Sequence, residues 1–189
     1  DRLDYSSDTT AMASKGPLTH GSYGHDAESS RANALPTEFV YSTTASGVSG
    51  TRHSGGTDFG YWVGDNLGTE VCRIDYGNDT VTSIKGNLTA TGSYKATASN
   101  TNYGYSAGGG SVSTVDRIDY ANDTATAVAK GPLAAARSQF AGAGNQDYGY
   151  VGGGTSEITT VERIDYSNDT ASPLVRGSLA YGSRCNAAT

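Results

Sequence analysis

An eight-residue string occurs four times along the chain, and tandem repetition of that kind limits the fold before any single residue is considered. Arg2-Leu3-Asp4-Tyr5-Ser6-Ser7-Asp8-Thr9 returns as Arg73-Ile74-Asp75-Tyr76-Gly77-Asn78-Asp79-Thr80, as Arg117-Ile118-Asp119-Tyr120-Ala121-Asn122-Asp123-Thr124 and as Arg163-Ile164-Asp165-Tyr166-Ser167-Asn168-Asp169-Thr170. The arginines stand 71, 44 and 46 residues apart. A second marker follows each copy: Lys15-Gly16-Pro17-Leu18, Lys85-Gly86-Asn87-Leu88, Lys130-Gly131-Pro132-Leu133 and Arg176-Gly177-Ser178-Leu179. Three copies are preceded by a glycine-tyrosine segment: Phe59-Gly60-Tyr61-Trp62-Val63-Gly64, Tyr103-Gly104-Tyr105-Ser106-Ala107-Gly108-Gly109-Gly110 and Tyr148-Gly149-Tyr150-Val151-Gly152-Gly153-Gly154.

Each unit reads as four short strands. The first ends in the glycine run, the second is the segment around Arg-Ile-Asp-Tyr, the third follows the Asn-Asp-Thr turn, and the fourth runs through residues such as Ser138 to Gly144. A strand repeats every two residues, so Ile118 and Tyr120 share one face while Val115, Arg117 and Asp119 share the other. Both faces are expected to be covered by neighbouring units. An Arg and an Asp repeated on one face then form a charge-assisted pair against the next unit. Arg73, Asp75, Tyr76, Arg117, Asp119, Tyr120, Arg163, Asp165 and Tyr166 are accordingly read as scaffold. The Asn-Asp segment is expected to make a tight hairpin turn, because both side chains bond their own backbone and tolerate positive φ. Composition points the same way: 26 glycines and 35% hydrophobic residues leave little for long amphipathic helices, and 13 tyrosines against 3 phenylalanines suit half-buried strands with polar tips. The expected class is all-β.

A four-stranded unit of this length with a Gly-Gly doublet after its first strand resembles the kelch repeat, over about three-quarters of the chain. The resemblance implies a β-propeller of about four blades, either a segment of a larger ring or one completed between molecules. The kelch tryptophan late in the second strand region is missing, and no unit carries the Gly-His or Trp-Asp signature of WD40 repeats. The units, in a register such as Ser-Thr-Val-Asp-Arg-Ile-Asp-Tyr-Ala-Asn-Asp-Thr, also look like those of predicted tail- or fibre-associated virion structural proteins of marine tailed phages. That likeness implies a virion or extracellular location, with other virion or appendage subunits and a host-surface glycan or receptor as partners.

The chain is expected to form one propeller or propeller segment, with units centred on 2–24, 59–100, 103–145 and 148–189 and an irregular insertion at about 25–58. The insertion makes the first interval about 25 residues longer than the others; long loops in compact domains are usually functional, so binding is sought there first. It holds one further strand candidate, Phe39-Val40-Tyr41. The chain opens at a second strand and stops before another glycine-tyrosine segment, which is expected to mean an excerpt of a longer protein or a subunit whose missing strand comes from elsewhere.

His20, His25 and His53, with Asp26 and Glu28, are residue types that bind divalent metals, but their spacing matches no established motif and they read as loop residues. Asp79, Asp123 and Asp169 supply one carboxylate per turn, short of the roughly six to eight oxygens calcium takes, and read as turn residues. Asn78, Asn87, Asn122 and Asn168 begin glycosylation sequons; they are glycan acceptors in a secreted eukaryotic protein and simple turn residues in a bacterial virus. The triple glycines at 108–110 and 152–154 lack the Lys-Ser/Thr and helix of a phosphate cradle, so close strand packing is expected. Cys72 and Cys185 lack metal-ligand spacing and leave one disulfide or two thiols open. Tyr61, Trp62 and Tyr23 are the candidate ligand-binding aromatics, able to stack on a sugar ring.

No cofactor is implied. A net charge of -6 without any Lys/Arg cluster argues against nucleic acid. No apolar run approaches the roughly 18–20 residues of a membrane-spanning helix, so no span is expected. The sequence contains no Gly-x-Ser-x-Gly elbow, no His-Glu-x-x-His pair and no Ser-x-Asp-x-Gly box, and its recurring carboxylates belong to every unit. The expected function is a non-enzymatic structural or attachment module. A secreted carbohydrate-binding propeller is the alternative, and an enzyme of galactose-oxidase or sialidase type comes third. Replacing Asp119 is expected to lower stability and spare binding.

Overall fold

The computed structural model describes residues 28–29, 40–44, 47–51, 59–63, 68–75, 80–182 and 184. These residues form antiparallel β-structure, with short 3-10 turns and no α-helix among them. The strands are β1 (Glu28–Ser29), β2 (Val40–Thr44), β3 (Gly47–Thr51), β4 (Phe59–Val63), β5 (Glu70–Asp75), β6 (Thr80–Asn87), β7 (Ala96–Ser99), β8 (Tyr103–Ala107), β9 (Val115–Asp119), β10 (Val128–Ala129), β11 (Phe140–Gly144), β12 (Tyr148–Gly153), β13 (Thr160–Asp165) and β14 (Leu174–Ser178). They make three four-stranded sheets, β1-β4-β5-β6, β7-β8-β9-β10 and β11-β12-β13-β14, and a two-stranded hairpin, β2-β3. No sheet closes on itself. Among the described residues no helix is long and apolar enough to cross a membrane.

The glycine-tyrosine segments and the Arg-Ile-Asp segments are the two central strands of each four-stranded sheet. Gly104 pairs with Ile118 and Tyr105 with Arg117; Gly149 pairs with Ile164 and Tyr150 with Arg163; Gly60 pairs with Ile74 and Tyr61 with Arg73. Two elements differ from the sequence reading. Ala96–Ser99 and Phe140–Gly144, each expected to end a unit, pair with β8 and β12 and so open the following sheets. The cause is a turn. Asn145 accepts from the backbone N–H groups of Asp147 and Tyr148 at 2.8 and 2.9 Å, and Asn100 does the same for Asn102 and Tyr103. Each asparagine thereby folds the strand before it onto the glycine-tyrosine strand after it.

The three sheets pack in chain order through two apolar clusters. Tyr61, Val71 and Leu88 of the first sheet and its flank meet Ile118 and Ala127 of the second. Ala96, Tyr105, Ala107, Val115 and Leu133 meet Phe140, Val151 and Ile164 of the third. The period-two reading of β9 therefore holds: Ile118 faces the first sheet and Val115 the third. Burying a side chain such as Val151 or Phe140 stabilises by about 1.5–3 kcal/mol. At Gly142 a Cβ would lie 2.0 Å from the Thr97 carbonyl oxygen, so β11 approaches β7 as closely as backbone permits.

The described residues of the long insertion are β1, which pairs with β4 at the edge of the first sheet, and the hairpin β2-β3, with Val40 opposite Thr51 and Thr44 opposite Gly47. The hairpin occurs in the chain between β1 and β4, which are neighbours in the first sheet.

Candidate functional site

The repeated charged residues meet where one sheet contacts the next. Arg73 Nη1 donates to Asp123 Oδ2 at 2.6 Å, and the Tyr61 hydroxyl donates to the same oxygen at 3.0 Å. One unit later, Arg117 Nη1 and the Tyr105 hydroxyl donate to Asp169 Oδ2 at 2.8 and 2.9 Å. Lys130 Nζ adds a contact of 3.1 Å to Asp169 Oδ1. Each Asp lies in the Asn-Asp-Thr segment of the following sheet. The following unit also lays its Arg-Ile-Asp-Tyr tyrosine on the same site: Tyr120 stacks on Tyr61 and Tyr166 on Tyr105, with ring centroids 4.8 and 4.6 Å apart.

The second sequence marker docks on the same turn. Gly86 N–H donates to the Asp123 carbonyl and Gly131 N–H to the Asp169 carbonyl, both at 2.8 Å. A Cβ on Gly86 or Gly131 would stand 1.9 or 2.0 Å from the carbonyl oxygen of Ala125 or Ala171. These glycines are there because nothing larger fits between two backbones. Each contact is thus a composite lock: Tyr, Arg and Gly on one sheet, and the Asp turn with its tyrosine on the next.

This geometry corrects two sequence expectations. The aspartate that meets the arginine is not the one in the same strand. Asp119 is exposed and accepts from Ala121 N–H at 2.9 Å, capping the 3-10 turn Tyr120–Asn122; Asp165 caps Tyr166–Asn168 in the same way through Ser167. The side-chain hydroxyl of Ser167 holds the Asp165 carboxyl below its ordinary range. Nor does the Asn-Asp pair form a two-residue hairpin. It ends that 3-10 turn, which swings Asp123 and Asp169 inward to 7% exposure each. Asp75 belongs to β5 and is half-buried; Tyr76, Asn78 and Asp79 lie outside the described residues.

The electrostatics follow from burial. Tyr61 and Tyr105 have phenol pKa values raised above the ordinary one, first by desolvation and then by Asp123 and Asp169, so the neutral hydroxyls are held as donors. Arg73 also sits 3.9 Å from the Phe59 ring centroid and Arg117 4.3 Å from that of Tyr103. A second set of buried charges went unnoticed in the sequence. Asp116 and Glu162, each directly before the repeated Arg, are 1% and 0% exposed. Asp116 accepts from the backbone N–H and hydroxyl of Thr89; Glu162 accepts from Ala134 N–H at 2.8 Å and pairs with Arg137. The signal was an acid directly before the Arg in three of the four copies, Asp1, Asp116 and Glu162, with Cys72 in its place in the first sheet. Lys95, also buried, donates to the Gly108 carbonyl at 2.8 Å, and burial pulls its pKa down.

The candidate binding aromatics separate. Tyr61 is 8% exposed with its hydroxyl committed to Asp123. Trp62, opposite Cys72 on β4, is half-buried. Tyr23 lies outside the described residues, as do His20, His25, His53, Asp26, Cys185 and the Glu28 side chain. Asn87, Asn122 and Asn168 are exposed. The triple glycines do more than allow close packing: Gly108, Gly109, Gly110, Gly153 and Gly154 all have positive φ, between 59° and 127°, which only glycine adopts without strain. Neither protein-family models nor curated proteins give a match to this sequence.

Proposed function

We propose that the chain is a run of kelch-like β-propeller blades that acts as a non-enzymatic binding scaffold, a component of a virion or extracellular appendage that attaches to a host surface or to neighbouring subunits. The observation that carries this reading is the lock itself. Arg73, Arg117, Asp123 and Asp169, the charged groups repeated in every unit, are spent on holding sheet to sheet. What varies between units lies elsewhere, and the largest variation is the β2-β3 hairpin set into the first sheet. A rigid stack carrying one elaborated insertion suits recognition by a loop on a fixed frame. Several such units on one particle would bind through many weak contacts at high effective concentration.

The test is adhesion of the purified chain to intact host cells, compared with a variant in which residues 40–51 are replaced by a short Gly-Ser link. Loss of adhesion with unchanged thermal stability supports the reading. Adhesion that survives this change but falls with Trp62→Ala, together with glycan-array binding, would transfer the role to the alternative, a secreted carbohydrate-binding propeller. Turnover of a glycoside or an alcohol by the purified chain would overturn it in favour of an enzyme.

A further inference from the structure

Three buried polar groups of the second sheet stand where the third sheet carries apolar or directly paired ones. The Asn100 and Asn145 turns align the two sheets, so Lys95 takes the place of Phe140, Ser106 that of Val151 and Gly92 that of Arg137. Asp116 takes the place of Glu162, directly before the repeated arginine. Lys95 is 6% exposed, and Ser106 and Asp116 are 1% exposed each. Ser106 lies opposite Asp116 across β8 and β9 and opposite Thr97 across β8 and β7, so these side chains share one face. Lys95, two residues before Thr97, belongs to the same face. That face is turned to the first sheet, because Asp116 accepts from the backbone N–H and hydroxyl of Thr89, which follows β6.

The bonding of this set is incomplete. Ser106 Oγ is buried with no hydrogen-bond partner among the described residues. The Lys95 ammonium has three N–H donors and spends one, on the Gly108 carbonyl at 2.8 Å. Burial lowers the Lys95 pKa and the Asp116 charge acts against that, yet the two make no direct ion pair among the described residues. In the third sheet the same corner is complete: Arg137 pairs directly with Glu162, and Val151 has no polar atom to satisfy. Gly92, Ser106 and Asp116 are each smaller than their counterparts. Val63 in place of Ala107 and Thr89 in place of Ala134 return only part of that volume.

We propose that one internal water molecule is bound in this corner, held by Lys95 Nζ, the Ser106 hydroxyl and the Asp116 carboxylate, so that the two charges form a water-separated ion pair. An internal water makes about three hydrogen bonds to buried polar groups. Lys95 offers it donors, Asp116 an acceptor, and Ser106 a hydroxyl that rotates to suit. An apolar side chain in the same space would leave the ammonium donors and the hydroxyl unmet, at a cost. The third sheet meets the same need with the Arg137 guanidinium, which reaches Glu162 without an intermediary.

The test is a crystal structure of the full chain together with a double-mutant cycle in urea. The expected density is one ordered water within hydrogen-bond distance of Lys95 Nζ, Ser106 Oγ and an Asp116 carboxylate oxygen. No ordered water, a water that reaches only one of the three, or Lys95 in direct contact with Asp116 overturns the proposal, whether or not the variants fold. In solution, Lys95→Met and Asp116→Asn should be coupled by about tenfold in the unfolding equilibrium constant. Ser106→Ala removes the third partner without adding volume, and in that background the coupling should fall below about threefold. Coupling unchanged by Ser106→Ala overturns the bridge, because the charges then act on each other without the water. A midpoint raised by Ser106→Ala overturns it too: removing an unpartnered buried hydroxyl stabilises, whereas removing a bonded one costs stability.

Discussion

Arg117 and Asp169 are 52 residues apart in the chain and 2.8 Å apart in space, and their pairing joins the central strand of one sheet to the turn of the next. Arg73 and Asp123 repeat the relationship one unit earlier at 2.6 Å. Asp169 gathers three donors, from Arg117, Tyr105 and Lys130, around a carboxylate almost out of water. Desolvating that carboxylate is costly, and the surrounding donors offset the cost only as a complete set.

Asp169→Ala should therefore destabilise strongly, because Arg117, Lys130 and the Tyr105 hydroxyl lose their common acceptor at once. Removing one partner of a buried ion pair costs about 3–5 kcal/mol, and the quarter exposure of Arg117 places this case toward the lower end. Asp119→Ala should cost less, in the range of about 0.5–2 kcal/mol typical of a lost cap. Urea denaturation of both variants checks the order. A larger loss at Asp119 would mean that the strand aspartate, and not the turn aspartate, holds the sheets.

That order could not be read from the sequence, and the reason is physical. Period two put Arg117 on the face toward the next unit, and it is there. But Asp119 and Asp123 are both repeated, both acidic and four residues apart, and only the 3-10 turn decides which of them swings inward. That turn is set by Asp119 accepting from Ala121 N–H, a local bond no periodicity reveals. The all-β class and the four-strand units were legible because glycine and tyrosine recur with the strand period. The strand order was not, since Phe140–Gly144 sits equally well in sequence at the end of one unit or the start of the next until Asn145 folds it back. The binding aromatics were the least legible: burial, which composition does not give, has taken the Tyr61 hydroxyl into the lock.

Gly131→Ala tests the backbone half of the lock without touching a charge. The added Cβ would lie 2.0 Å from the Ala171 carbonyl oxygen, a backbone atom that moves only if the third sheet moves. Overpacking of this kind costs about 1–3 kcal/mol. The denaturation midpoint should fall with an unchanged slope. A neutral result would show that the sheets slide apart freely at this point.

Alkaline pH should loosen both locks together. Tyr61 and Tyr105 have folded pKa values raised above the unfolded one of about 10. A raised pKa means that the folded chain keeps protons that the unfolded chain releases. Their contribution is whole below about pH 10 and is lost as pH climbs toward the folded values. Absorbance titration at 295 nm should show two tyrosines that ionise only as the protein unfolds. Ionisation of all thirteen near pH 10 with the fold intact would contradict the buried donors.

Arg137 and Glu162 make the sharpest energetic case, because both side chains are inside the protein, 4% and 0% exposed. Glu162 also accepts from Ala134 N–H, and Arg137 donates to the Thr160 carbonyl at 3.2 Å, so each charge is partly shared with backbone. Glu162→Met leaves a guanidinium buried without its counter-charge, and about 3–5 kcal/mol should be lost. Arg137→Met leaves the carboxylate with only a backbone N–H, with a loss of the same order. The double variant removes both charges and fills the space with apolar atoms of similar volume. It should recover most of either loss, because an apolar pair has no desolvation cost to offset. Equilibrium unfolding of the four proteins gives the coupling directly, and additive losses would mean that the two groups act through the backbone and not on each other.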